Sequence, residues 1–336
     1  MSDLKIARID VFQVDLPYVG GVYRRSGGRE YTSFDATIVC ITTQNGIEGW
    51  GESTHFGSTY IASHAPGVRA SIATIVPSPI GLGPRRVDRV NDAMDAALVG
   101  HEDAKAALDV ACWDIFGKSA GLPVCELLGG RTDVKLSIIS SIYVGEPAGL
   151  RQRVAEHRAK GYKGHSIQIG GEPVADAARV AAAFADKRPD EFFIVDLTGL
   201  DFVLEAPCPT WRECVPLRRK TNVPVIFDEL ATNDASIAGG LTRGRRQRDI
   251  CLAAGYTVSV QGTSGSDIAF AAIVHLGQTV PQRSLRYILE SRDMVAVKAA
   301  DGAFEVHNVY VFAPSTPGLG VVPHLDVLGE PVASFF

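Results

Sequence analysis

The spacing of apolar positions changes at Gly129-Gly130. Before that point residues 4–16 alternate loosely. Asp35–Thr43, rich in β-branched residues, is parted from Ile47–Glu52 by Gln44-Asn45-Gly46, a strong hairpin signal. A glycine-rich loop, Gly20-Gly21-Val22-Tyr23-Arg24-Arg25-Ser26-Gly27-Gly28, interrupts this meander. Loops of that kind on a rigid sheet are favoured places for substrate contacts. From Val68 to Gly117 the period turns helical. Ala104, Ala107, Leu108, Ala111, Cys112, Ile115 and Phe116 recur every three or four positions and predict one buried stripe. Strands followed by helices give an α+β unit over residues 1–130.

After Gly130 strands and helices alternate. Strands are predicted at Lys135–Ser141, His165–Ile169, Phe192–Asp196, Tyr256–Gln261 and Leu285–Glu290, and helices at Pro147–Lys160, Val174–Ala185 and Ser266–Leu276. This is the pattern of a parallel sheet with helical crossovers, and the fold class is α/β. A closed (β/α)8 TIM barrel over 131–313 is favoured. The alternative, an open doubly wound sheet, is weakened because no strand is followed by a glycine-rich phosphate fingerprint. Residues 314–336, rich in Gly and Pro, predict an irregular tail returning to the N-terminal unit.

Three short apolar runs each end in an acid: Phe192–Asp196, Phe202–Glu205 and Val225–Asp228, with Glu229 next in line. Runs of this kind read as strands buried on both faces, so the acids fall at the carboxyl edge of the sheet, where barrel active sites lie. Neighbouring carboxylates repel and resist desolvation, which makes sense of the pattern if they share a cation. All-oxygen ligands point to Mg²⁺. The alternative is three unrelated acids, each satisfied by a helix N-terminus or a basic residue.

Composition narrows the picture. With 336 residues, 46% of them hydrophobic, the chain can bury one large core and a smaller one. A net charge of -5 argues against a nucleic-acid partner. The cluster Arg243, Arg245, Arg246 and Arg248 reads as a solvated helix face. No apolar run is of membrane-spanning length, and Met1–Asp15 lacks a secretory layout, so a soluble cytoplasmic protein is expected. The six cysteines show no metal-binding spacing and are expected to be reduced and structural.

Two junctions are too short. Parallel neighbours need a crossover of about a dozen residues, yet little separates Asp196 from Phe202, and Ile237 runs through Gly239-Gly240 directly toward another helix. The barrel is therefore expected to lack segments near 198/199 and 237–239.

The motifs Gly46-Ile-Glu-Gly-Trp-Gly-Glu52, Asp114-Ile-Phe-Gly-Lys-Ser-Ala-Gly-Leu-Pro123, Leu127-Leu-Gly-Gly130 and Pro317-Gly-Leu-Gly320, with the three strand-end acids, resemble the enolase superfamily, in its mandelate racemase/muconate lactonizing branch. The glycine-rich loop, Gly57-Ser-Thr-Tyr-Ile-Ala-Ser-His64 and Gly100-His-Glu-Asp-Ala-Lys105 resemble members acting on proline derivatives, the cis-3-hydroxy-L-proline dehydratases and the hydroxyproline-betaine epimerases. The resemblance implies an α+β capping domain, completed by 314–336, over a modified barrel, and Mg²⁺ held by Asp196, Glu205 and Asp228. It also implies removal by a lysine of the α-proton of an amino-acid or betaine carboxylate, and a homo-oligomer. Tyr60 matches a pocket tyrosine of the epimerases. Tyr23 is a weaker candidate of the same kind, and Glu229 suits a supporting role beside the metal.

The chain departs from this pattern at its second barrel strand. A Lys-x-Lys pair is expected there, but Ser166-Ile167-Gln168 is present, and glutamine takes no proton at neutral pH. His165 alternates away from Ser166 and Gln168, which marks it as structural. The other lysine base of the family, on the sixth strand, falls where the chain is short, and Gly262 replaces an aspartate after the seventh. One-base dehydration is thus favoured over two-base epimerisation. A weakened homologue that binds Mg²⁺ and a carboxylate is a third reading.

Overall fold

The structure is a computed structural model. It describes residues 4–25, 29–55, 57–59, 63–169, 172–195, 203–205, 213–214, 216, 220, 225–226, 239–262, 264–289, 294–302, 306 and 308–336. For 24–25, 203–205 and 225–226 it describes the backbone only.

The N-terminal unit comprises β1 (Ile6–Pro17), β2 (Tyr23–Arg25), β3 (Arg29–Tyr31), β4 (Ser33–Thr43) and β5 (Glu48–His55), then α1 (Ala65–Ile75), α2 (Val87–Ala97), α3 (Glu102–Ala120) and the short α4 (Val124–Leu127). β4 and β5 form the hairpin signalled by Asn45-Gly46, with Asp35 opposite His55. The buried stripe of α3 lies on β4 and β5. Gly49 and Gly51 make that approach possible, because a Cβ on Gly51 would collide with the Ala107 carbonyl oxygen and one on Gly49 with that of Ala111. Between them Trp50 packs against Phe12, with ring centroids 5.8 Å apart.

The second unit comprises β6 (Leu136–Ile142), α5 (Pro147–Ala159), β7 (Gly164–Ile167), α6 (Pro173–Phe184), β8 (Phe192–Val195), β9 (Val203–Glu205), β10 (Val225–Ile226), α7 (Gly240–Ala253), β11 (Val258–Val260), α8 (Asp267–Gly277) and β12 (Leu285–Leu289). Its strands are parallel in the order β10-β9-β8-β7-β6-β12-β11. The last strand pairs with the first, as barrel closure requires. Among the described residues β10 and β11 do not pair. Residues 196–202 join the parallel neighbours β8 and β9, and 227–238 run from β10 toward α7. Both expected shortfalls therefore lie outside the described residues.

The two faces of the sheet separate by parity. Ile139, Ile194, Tyr287 and Leu289 cluster on one side, where Phe192 stacks on Tyr287 at 5.8 Å. Ile142, Ile167 and Phe193 face Leu150, Val154 and Ala183 of α5 and α6 on the other. Gly164 belongs to the first face, where a Cβ would strike Phe192 and Ile139.

The C-terminal stretch is more regular than its composition suggests. It holds β15 (Val321–Pro323), α9 (Leu325–Leu328) and β16 (Ala333–Phe335), after β13 (Ala300–Gly302) and β14 (Tyr310–Val311). β16 pairs antiparallel with β1 and completes the sheet β16-β1-β4-β5. Strands this short carry too little alternation to be read from sequence.

Of the four arginines of α7 only Arg246 is exposed, so they do not form a shared solvated face. Arg243 pairs with Asp95 at 2.9 Å and Glu102 at 2.5 Å, and Arg246 pairs with Asp88 at 2.6 Å. Buried Arg248 donates to the Leu128 carbonyl at 3.0 Å and to the Thr279 hydroxyl. The partners of Arg243 and Arg246 lie on or beside α2 and α3, far away in sequence, which spacing within α7 could not reveal. Among the described residues no helix is long and apolar enough to cross a membrane. Cys40, Cys112, Cys125 and Cys214 are buried free thiols and Cys251 is half-buried and free. Cys208 lies outside the described residues.

Candidate active site at the barrel mouth

The carboxyl edges of β8, β9 and β10 are adjacent. Val195 stands opposite Leu204, and Glu205 opposite Ile226. Asp196 directly follows Val195, and Asp228 is two residues beyond Ile226. Both lie outside the described residues, as do Glu229 and Tyr60, and of Glu205 only the backbone is described. Among the described residues no group of three His, Cys, Asp or Glu side chains suits a metal. The donor set does fit the expected ion, since three carboxylates following three adjacent parallel strands offer only hard oxygen ligands to Mg²⁺.

Ser166 and Gln168 share the parity of Gly164 and so belong to the inner face of β7. The Gln168 N–H donates to the Ile142 carbonyl at 2.8 Å, which places it at the edge of the mouth beside the end of β6. His165 takes the opposite face. It is fully buried, its Nδ1 lies 2.7 Å from the Ser140 hydroxyl and its ring 5.0 Å from Phe193. Burial pushes its imidazole down to about 4, so it is neutral at pH 7. Beneath it Arg158 and Glu191 form a paired contact at 2.6 and 2.8 Å.

Tyr23 is not on a free surface loop. It is buried in an aromatic cluster with Tyr18, Phe34 and Tyr143. Tyr18 meets Tyr23 edge-on at 5.2 Å and Tyr143 at 5.7 Å, and burial, together with the neighbouring Tyr143, raises its phenol far above the ordinary range. Tyr143 stands one residue beyond β6, so this cluster joins the glycine-rich loop to the mouth. Arg153 of α5 lies over the Tyr143 ring, 4.0 Å from its centroid. The sequence reading missed Tyr18, Tyr143 and Arg153. Only the position of Tyr143 at a strand end could have signalled one of them.

Two carboxylates of the N-terminal unit hold barrel helices in place. Glu52 receives the Ser266 N–H at 2.8 Å and the Ala269 N–H at 3.1 Å at the start of α8. Asp109 receives the Thr242 N–H at 2.9 Å at the start of α7 and the Asn91 amide at 2.7 Å. Helix N-termini favour negative charge, so these contacts fix the N-terminal unit over the barrel.

Residues 31–129 match the family model of the mandelate racemase/muconate lactonizing enzyme N-terminal domain, and residues 230–327 match the enolase C-terminal domain-like model. A cis-3-hydroxy-L-proline dehydratase of Roseibium aggregatum is 34% identical over 366 positions, covering 99% of this chain and 100% of the relative. Set against the 336 residues here, that leaves about 30 of the 366 aligned positions without a counterpart in this chain. A mandelate racemase/muconate lactonizing enzyme family structure from Aspergillus oryzae is 67% identical, with TM-score 0.92, over 99% of this chain and 100% of that one. A structure of the same family from Roseovarius nubinhibens, complexed with magnesium, is 46% identical, with TM-score 0.92 and the same coverage.

Proposed function

Because the chain belongs to the mandelate racemase/muconate lactonizing enzyme family and is an enzyme of the enolase superfamily, we propose that it removes the α-proton of a small amino-acid carboxylate, and that its reaction is the dehydration of cis-3-hydroxy-L-proline. The observation that carries this reading is the adjacency of β8, β9 and β10, each leading to an acid, in a chain alignable end to end with a dehydratase of that substrate.

Asp196, Glu205 and Asp228 would hold Mg²⁺, with Glu229 supporting them. The bound ion would supply positive charge against the negative charge that grows on the substrate carboxylate as the α-proton leaves. Dehydration then balances simply. The α-proton would pass to the one lysine base that the resemblance assigns to the sixth strand, the electron pair of the α-C–H bond becomes the ring double bond, and the hydroxyl leaves C3 with its bonding pair and is protonated to water. Gln168 can orient substrate through its amide but cannot accept the proton, so a second base facing the first, as inversion at Cα demands, is missing from this position. That favours dehydration over racemisation or epimerisation. Tyr60 and Tyr23 would line the pocket, with Ser166 contributing a hydroxyl. The same reading makes residues 1–130 and 314–336 one capping domain, supported by the pairing of β16 with β1.

The test is incubation of the protein with Mg²⁺ and cis-3-hydroxy-L-proline in D₂O. Loss of the Cα proton together with release of water is expected. Deuterium uptake with inversion and retention of the hydroxyl would show an epimerase. Measurable binding without exchange would show a protein that has kept the site and lost the reaction.

A further inference from the structure

Tyr143 and Gln168 stand side by side. The Gln168 N–H donates to the carbonyl of Ile142, the residue before Tyr143, and both residues have the inward parity of their strands. Tyr143 is held from three directions. Arg153 covers its ring at 4.0 Å, Tyr23 leans on it at 6.1 Å, and Tyr18 meets it edge-on at 5.7 Å.

Two features of this arrangement point to a ligand. Two phenols carry two O–H donors, and a hydrogen bond between Tyr18 and Tyr143 could use at most one of them. Arg153 makes no ion pair or hydrogen bond among the described residues, and its Nε is buried without a partner. A spare O–H beside an unneutralised guanidinium suits an acceptor oxygen. Alternative partners on the inner face of β7 are polar and uncharged, Ser166 and Gln168, so the pocket edge here can grip a hydroxyl without attracting a second cation.

We propose that Tyr143 is a specificity-determining residue, whose hydroxyl donates to the ring hydroxyl oxygen of a hydroxylated cyclic amino acid, and that Arg153 is the positioning residue that holds its ring. This rests on the function proposed above. A site built to bond a substrate hydroxyl discriminates strongly against the analogue that lacks it, because its own donor is then left unpaired.

The test uses the full chain loaded with Mg²⁺ and compares cis-3-hydroxy-L-proline, through its KM, with L-proline, through its inhibition constant. The wild type should prefer the hydroxylated compound. Tyr143→Phe should weaken it about five- to tenfold while leaving L-proline unchanged. Arg153→Met should reproduce part of that loss in KM more than in kcat, and Arg153→Lys, which restores a cation over the ring, should recover it. A preference that survives Tyr143→Phe, or a loss shared equally by both compounds, overturns this proposal alone. A wild type that binds neither compound overturns the proposed function and this inference with it.

Discussion

The carboxylates buried at the seam between the N-terminal unit and the barrel contrast with the acids proposed to hold Mg²⁺. Glu52, Asp109 and Asp114 are buried where the N-terminal unit meets the barrel and the C-terminal stretch, and each is satisfied by donors of the chain itself. Asp109 takes the N–H and hydroxyl of Thr242 and the Asn91 amide. Glu52 takes backbone and hydroxyl donors at the head of α8. Asp114 takes the N–H groups of Trp50 and Leu319 at 3.1 and 2.8 Å and the Lys118 ammonium at 2.7 Å. The acids that follow β8, β9 and β10 are instead assigned to a cation from outside the chain. The difference teaches that a buried acid by itself says nothing about function. Successive acids at the ends of adjacent strands are a different signal from acids placed singly against helix N-termini.

The comparison breaks most visibly at Asp109. Asp109→Ala would strip α7 of its cap and leave the Thr242 N–H and the Asn91 amide short of acceptors, with Trp113 still bonded to the Thr242 hydroxyl at 2.8 Å. The expected cost is on the order of 3 kcal/mol in urea unfolding, with Mg²⁺ affinity unchanged in the folded fraction. A variant as stable as the wild type would mean that the seam does not depend on this carboxylate.

The acids of the barrel should behave the other way. At a free Mg²⁺ concentration of about 100 Kd, the ion should add about 2.7 kcal/mol to the wild type. In Asp196→Asn or Asp228→Asn this gain should vanish while the metal-free stability stays within about 1 kcal/mol. Calorimetry with and without Mg²⁺ reads both quantities, and an undiminished gain in either variant would remove that residue from the ligand set.

Much of the fold was legible before the structure. The hairpin around Asn45-Gly46, the stripe of α3 and the parity that separates His165 from Ser166 and Gln168 all follow from local periods of two or about four residues. Adjacency of the acid-bearing strands followed from strand order in a parallel sheet. Illegible were the contacts made between distant segments. Glu52 and Ser266 are 214 positions apart, Asp109 and Thr242 133, and no period links them. The cluster of Tyr18, Tyr23 and Tyr143 was hidden for the same reason, and β16 because three residues show no pattern. The arginines of α7 were misread because charge on a helix declares nothing about its partner.

A smaller effect tests the neutral part of the seam. His275 accepts the Cys125 N–H on Nδ1 and faces the Leu319 carbonyl through Nε2, each at 3.1 Å. Burial pushes it down to about 4 from an ordinary 6.5, as it does His165. Above pH 6.5 both the folded and the unfolded chain hold the ring neutral, and there is no penalty. As pH falls below 6.5 the unfolded chain binds a proton that the folded one refuses, so stability is lost until the folded value is reached near pH 4. For His275 the slope approaches about 1.4 kcal/mol per pH unit within that window. Unfolding measured at pH 7 and pH 5 should show the loss, and His275→Gln should reduce it. An unchanged slope in the variant would place the sensitivity at His165 or at His157 of α5, whose imidazole burial also pushes down to about 4.

The smallest effect is expected where charge is most conspicuous. Arg246 pairs with Asp88 at 2.6 Å, but its side chain is 52% exposed and that of Asp88 55%. Water and salt screen such a pair, so Arg246→Ala should cost under about 0.5 kcal/mol. Arg248, with its side chain 8% exposed and bonded to the Leu128 carbonyl, should cost several times more. The ratio of the two, measured by urea unfolding at low and high salt, separates two accounts of how α7 is held. A salt-insensitive seam with a negligible Arg246 contribution means that buried carboxylates and backbone donors hold α7. A loss at Arg246 as large as that at Asp109 would mean that the ion pairs across α2 and α3 carry the joint, and the division between internally satisfied and cation-satisfied acids would no longer describe how the barrel is held.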